Sequence, residues 1–188
     1  MKNIFFYLAC IVLAFSFNAC KTKKLTSVTG ATEVVMPFSE DKYKTDKDFF
    51  RAIQSGKSPD LAASKKIALQ NVRAELAGNI KALVKRVTDQ YTNQRTIGNK
   101  QDFENKFEEL SREVVDETII HVKVMGEKLF KETDGSFSYW VVIEVSKQSI
   151  LDGVNNKISK NEKLQLDYDK KKFEDIFNSE MEKLSNEK

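Results

Sequence analysis

Seven apolar residues, Leu69, Val72, Leu76, Ile80, Leu83, Val87 and Tyr91, recur at spacings of three and four. They fall on one face of a helix about nine turns long. The opposite face carries Lys65, Arg73, Lys81 and Lys85. Ser58-Pro59-Asp60 opens the helix: Ser58 is expected to cap its free N–H groups, Pro59 suits the first turn, and Asp60 complements the positive end of the dipole. Ala62, Ala63, Ala68, Ala74 and Ala77 thin it and allow a sheet or second helix to approach closely. A helix of this length needs a broad partner surface.

The other segments supply candidates for that surface. Residues 32–38 (TEVVMPF) and 48–54 (DFFRAIQ) are β-branched or aromatic runs bounded by turn residues, and are expected to be short strands. Phe103, Phe107, Leu110 and Val114 predict a shorter helix over residues 100–115. Residues 118–130 (TIIHVKVMGEKLF) and 137–145 (FSYWVVIEV) flank Asp134-Gly135 and read as a β-hairpin. A two-residue turn there pairs Thr133 with Ser136. Phe130 would then face Tyr139, Gly126 Ile143, Val124 Val145, Met125 Glu144 and Lys123 Ser146. The chain turns helical again over residues 148–157, and Ser159-Lys160-Asn161-Glu162 offers a capping box for a last, charged helix. That helix carries Phe173, Ile176, Phe177, Met181 and Leu184 on one face, expected to pack on the same domain rather than on another chain.

The first twenty residues, MKNIFFYLACIVLAFSFNAC, carry one charge at Lys2, an apolar run over residues 4–17, and small Ala19 before Cys20. This is the order of a secretory signal, and its apolar run is shorter than the roughly 20 residues that span a bilayer as a helix. The end resembles a bacterial lipobox, although Phe17 and Asn18 stand where Leu and a small residue are usual. Cleavage before Cys20 and acylation of its thiol are therefore expected. Cys10 lies in the removed segment, so Cys20 would be the single cysteine of the mature chain, and a disulfide framework is not expected. Removal of residues 1–19 takes one lysine from 31 basic residues and nothing from 28 acidic ones. The near-neutral balance, like export itself, argues against nucleic acid as a partner. Residues 20–31 read as a flexible tether, with Lys21, Lys23 and Lys24 able to touch anionic head groups.

Several patterns resemble sites and are read as structure. Ser55-Gly56-Lys57-Ser58 resembles the end of a phosphate-binding loop, but Arg51 stands where that loop needs its first glycine. What survives is a weak anion site of Arg51, Lys57 and Ser58 at the helix N-terminus. Ser39-Glu40-Asp41-Lys42 has the Ser-x-x-Lys spacing, and so does Ser185-Asn186-Glu187-Lys188 at the C-terminus, which makes the spacing uninformative. His121, the single histidine, is expected on the polar side of the hairpin, without a thiol partner or nucleophile elbow. Tyr139 and Trp140 are expected to pack rather than to form a ligand platform. No His/Cys pair or Asp-rich loop suggests a metal, so no cofactor and no catalytic residue is expected.

With Cys20, the Phe50-Arg51-Ala52 and Gly56-Lys57-Ser58-Pro59-Asp60 entry, the alanine-spaced helix and the hairpin in place, the chain resembles the Lpp-twenty lipoprotein family over residues 34–151. That family is similar to the N-terminal domain of flagellar assembly protein T. The resemblance implies an α+β fold in which a long helix packs on a small antiparallel sheet in a dodecin-like manner. It also implies an envelope lipoprotein with a binding or scaffolding role. The expected organisation is a signal peptide over residues 1–19, a tether over 20–31, an α+β domain over 32–158 and a charged amphipathic helix over 159–188. The expected function is non-catalytic: a membrane anchor through Cys20, with a protein partner or self-association. The alternative is a small-ligand carrier or enzyme with its site between the long helix and the sheet. Lys21 lacks the retention-type Asp and no acidic run follows, so the outer membrane facing the periplasm is the expected location.

Overall fold

The computed structural model describes residues 27–28 and 30–186, so the cleavage site and Cys20 lie outside the described residues. The chain divides into two compact units at Val35 and Met36. In the first, β1 (Ser27–Val28) pairs antiparallel with β2 (Ala31–Thr32). Extended pairing thus reaches into the expected tether, while Val34 and Val35, expected in a strand, are unpaired and exposed.

The second unit is α+β. A three-stranded antiparallel sheet has the order β3 (Phe49–Ser58), β5 (Phe137–Ser146), β4 (Lys123–Lys131). Across one face lies the long helix α1 (Leu61–Asn93), followed by α2 (Lys100–Ile120), and after β5 by α3 (Lys147–Ile158), α4 (Glu162–Asp167) and α5 (Lys170–Asn186). Central strand β5 is buried on both sides: Tyr139, Val141, Ile143 and Val145 join the core under α1, and Val142 is buried on the other face. This explains its nearly unbroken apolar run, since a strand covered on both faces does not alternate. The α1 stripe is buried as expected, except that Leu69 is only partly so.

The α1 cap is Asp60, whose Oδ1 accepts from the Ala63 N–H at 2.7 Å. Ser58 does not cap the helix, because its backbone still pairs with Phe137 in the sheet; its Oγ accepts from the Asp60 N–H instead. Of the five alanines only Ala68 is fully buried, while Ala62 and Ala74 face solvent. The close approach is made from the sheet side by Gly56. A Cβ there would lie 2.4 Å from the Ser64 carbonyl oxygen and 2.5 Å from the Ala68 nitrogen. Both are backbone atoms and cannot swing aside. Gly56→Ala is therefore expected to destabilise the domain by about 1–3 kcal/mol, read as a lower urea midpoint at unchanged slope.

The hairpin forms in another register. Gly135 adopts φ +83°, its N–H donates to the Glu132 carbonyl, and the Glu132 N–H donates to the Ser136 carbonyl. The loop thus holds three residues, with glycine in the left-handed position, rather than two. Lys131 pairs with Phe137, which puts Leu129 opposite Tyr139, Phe130 opposite Ser138 and Gly126 opposite Val142. A bulge at Met125 slips the register again, so Val124 faces Ile143 and Lys123 faces Glu144. The bulge and the lysines at 123, 128 and 131 also guard the outer edge of β4 against pairing with other chains.

His121 is not in the hairpin. Helix α2 continues past Val115 to Ile120, and His121 ends it, its N–H donating to the Thr118 carbonyl. The β-branched run there is held helical by the burial of Val114 and Val115, an override of local propensity by packing. The Ser159–Glu162 capping box is not formed either: Ser159 ends α3 and Asn161 caps α4. Helix α5 packs in the same core, burying Phe173, Ile176, Phe177 and Met181.

Candidate functional site

The face of the sheet away from α1 carries a row of charges that the strand registers bring together. Arg51 of β3 lies opposite Glu144 of β5, and Glu144 opposite Lys123 of β4. Arg51 Nε donates to Glu144 Oε2 at 3.0 Å and Lys123 Nζ to Oε1 at 3.0 Å. Arg51 Nη1 also donates to Asp46 Oδ2 at 2.6 Å and to the Lys44 carbonyl at 2.7 Å. The Arg51 and Glu144 side chains are only 8% and 7% exposed. Burial pulls the guanidinium pKa down, but hydrogen bonds to Asp46 and Glu144 outweigh it and raise the value.

This network clamps residues 36–48 across the sheet. Thr45 Oγ1 bonds both the Arg51 N–H and its carbonyl, closing the free edge of β3 there. Phe38, with left-handed backbone at φ +63°, is buried over Gly126, which leaves its ring room: a Cβ there would lie 2.9 Å from Phe38 Cε1. Tyr43 packs edge-on against Phe38 at 4.9 Å and Lys128 Nζ sits 4.9 Å from its ring centroid.

Beside the clamp opens a cleft of about 450 Å³, lined among others by Phe49, Glu117, His121, Lys123, Glu144 and Ser149. The Ser146 and Ser149 hydroxyls bond each other at 2.7 Å at the start of α3. Both oxygens of Glu144 are taken by Arg51 and Lys123, while Glu117, the other carboxylate of the cleft, accepts through Oε1 from Lys157 Nζ at 2.7 Å. A second recess, of about 340 Å³, runs between α1 and α2. Its lining includes Ser111, whose Oγ is the one buried side-chain polar atom without a hydrogen-bond partner among the described residues.

The expected anion-site residues are not brought together. Arg51 belongs to the clamp, Lys57 Nζ donates to Asp134 Oδ2 at 2.9 Å, and Ser58 turns to Asp60. Six residues of strand separate Arg51 from Lys57, roughly 20 Å. The Ser136 hydroxyl and N–H, with Lys57, hold the Asp134 carboxyl far below the usual range. Between α1 and the sheet, Phe50, Ala52, Ala68, Val72, Leu76, Val141 and Ile143 fill the space where a small-ligand site was the alternative. Among the described residues no cluster of His, Cys, Asp and Glu is placed to hold a metal ion, and no helix is long and apolar enough to cross a membrane.

No family model, curated protein or solved structure matches this chain. The clamp and the groove must therefore be read from their own chemistry. Sequence reasoning missed the clamp, although Glu144 inside the run VVIEV is a visible signal: a charge on a strand buried on both sides requires a partner.

Carboxylates also tie the elements together. Glu180 of α5 accepts from Lys183 and from Gln90 of α1, which hold its pKa below the ordinary value against the opposing effect of burial. At Asp46 burial likewise raises the value, but hydrogen bonds from Arg51 and from the N–H groups of Asp48 and Phe49 outweigh it. A carboxyl more acidic in the folded chain binds fewer protons there than in the unfolded one. Its contribution is complete above the unfolded value of about 4 and is lost as pH falls through the folded value. Urea midpoints are thus expected to hold between about pH 5 and 7 and to drop below about pH 4. Glu180→Gln should lower the midpoint at neutral pH and make the acid decline shallower.

Proposed function

We propose that the protein is a lipid-anchored envelope lipoprotein, cut before Cys20 and held by acyl chains on that thiol, whose α+β domain acts by binding rather than by catalysis. The observation that carries this reading is the apolar run of residues 4–17 ending in Ala19-Cys20, with Cys20 the single cysteine left after cleavage. The resemblance to the Lpp-twenty family over residues 34–151 supports it. The outer membrane, with the domain facing the periplasm, is the location this reading assigns.

Cys20→Ala is expected to move the protein from the membrane fraction to the soluble fraction, read by immunoblot after fractionation. Retention at the membrane would contradict the anchor. The α1–α2 groove, with its unpartnered Ser111 hydroxyl, favours a second reading in which the anchored domain carries a small polar ligand.

A further inference from the structure

We infer that β4 docks on the surface of the bilayer that holds the acyl chains, where it meets anionic phospholipid head groups. The inference rests on the anchor at Cys20 proposed above. Unlike β5, strand β4 is exposed along nearly its whole length. Helix α1 lies mainly over β3 and β5, so Val124 and Leu129, which face Ile143 and Tyr139 on the α1 side, stay 45% and 47% exposed. Phe130 points to the other side, opposite Ser138, and is 44% exposed. Ile120, just before the strand, is exposed as well.

Charge runs along the same strand. Lys123, Lys128 and Lys131 stand among these apolar side chains, and the strand's one carboxylate, Glu127, is held by Lys65 Nζ at 3.3 Å. Lys123 is bonded to Glu144 yet stays largely exposed. Lys128 sits over the Phe38 ring, and among the described residues neither it nor Lys131 pairs with a carboxylate. Guarding an edge against other strands needs the charges alone. It does not account for three large apolar side chains exposed between them. Lysines that lay their stems on apolar surface and extend their ammonium groups to phosphates, beside aliphatic and aromatic groups, suit a membrane interface. The outward N–H and C=O groups of an edge strand need hydrogen bonds, which head groups and their water supply and hydrocarbon does not. Strand β4 therefore lies at head-group depth.

The chain that comes from the anchor enters the domain at this strand. Phe38 is buried over Gly126 of β4, and Met36, two residues earlier, is exposed. Fifteen residues lie between Cys20 and Met36. A chain of that length reaches at most about 55 Å, which keeps β4 at a high effective concentration beside the bilayer, so a weak contact suffices.

The test uses the intact acylated protein in vesicles, carrying Leu129→Cys or, as a control, Ala74→Cys on the flank of α1 that Asn71 turns toward β3. With residues 1–19 removed and Cys20 acylated, the introduced thiol is the one free to take a fluorophore. In vesicles of phosphatidylcholine with phosphatidylglycerol, aqueous acrylamide should quench the label at position 129 about threefold less than the label at position 74. The difference should vanish in phosphatidylcholine alone, in about 0.5 M salt, and when Lys128→Glu and Lys131→Glu are added, with the melting temperature held. Equal quenching at both positions, or protection that survives the two charge reversals, would overturn the inference. So would protection of position 129 in a non-ionic detergent, which would mean that a second copy or another protein covers the strand. Flotation of the same vesicles reads the anchor separately. A chain that does not float refutes the anchor and the docking that rests on it, whereas a chain that floats with equal quenching has the anchor without the docking.

Discussion

Replacing Arg51 by methionine is expected to destabilise the domain by about 3–5 kcal/mol, the cost of removing one partner from a buried ion pair. Glu144 would keep only Lys123, whose side chain is 72% exposed, while its own carboxylate stays at 7%. The same change removes the Nη1 bonds to Asp46 and to the Lys44 carbonyl, leaving the Thr45 hydroxyl bonded to the edge of β3. Arg51→Lys should recover little, since one ammonium cannot reproduce the planar fork that reaches Glu144 and Asp46 together. The double variant Arg51→Met with Glu144→Leu should recover most of the loss, because two apolar groups of similar size leave no stranded charge. Urea denaturation of the three variants checks this; an Arg51→Met midpoint within error of the parent would show the clamp to be dispensable.

The second large effect is expected at Phe173. Its ring lies 5.1 Å from Phe107, 5.8 Å from Tyr91, 5.6 Å from Tyr168 and 6.3 Å from Phe177, centroid to centroid. It therefore joins α5 to α1 and α2 in one aromatic cluster. Beside it the Tyr91 hydroxyl donates to the Asp167 carbonyl and accepts from the Asp169 N–H, which fixes the entry to α5. Phe173→Ala should cost about 3–5 kcal/mol and lower the melting temperature by on the order of 10 °C. The loss should appear in one transition, since α5 shares the core of α1. A separate early transition for α5 would mean that the C-terminal helix is only loosely docked.

These sites differ in how far the sequence revealed them. The α1 stripe was legible because its signal is local: the residues that share a face recur within the helix itself. The hairpin was legible as a hairpin, but its register was not. Asp134-Gly135 serves equally a two-residue turn and a three-residue loop with glycine last, and one residue of difference changes every partner from Phe130 to Gly126. The end of α2 was misplaced for a related reason. Residues 118–122 favour a strand locally, and the packing of Val114, Val115 and Ile119 keeps the chain helical as far as Ile120. The clamp depends on contacts ninety-three residues apart, between Arg51 and Glu144, and no spacing rule reaches across two strand registers. Phe38 was hidden in the same way, since its burial needs Gly126 and the bulge beside it. Ser111 looked like an ordinary polar residue at the margin of the Phe103–Phe107–Leu110–Val114 stripe, and its lack of a partner belongs to the folded helix pair alone.

The central claim concerns Cys20, and the intact mass of the protein purified from its own membrane tests it most directly. The account predicts a chain that begins at Cys20, lacks residues 1–19 and carries the added mass of acyl chains that localises to the N-terminal peptide. A chain that begins at Met1, or one that begins near residue 20 with an unmodified cysteine, would contradict it.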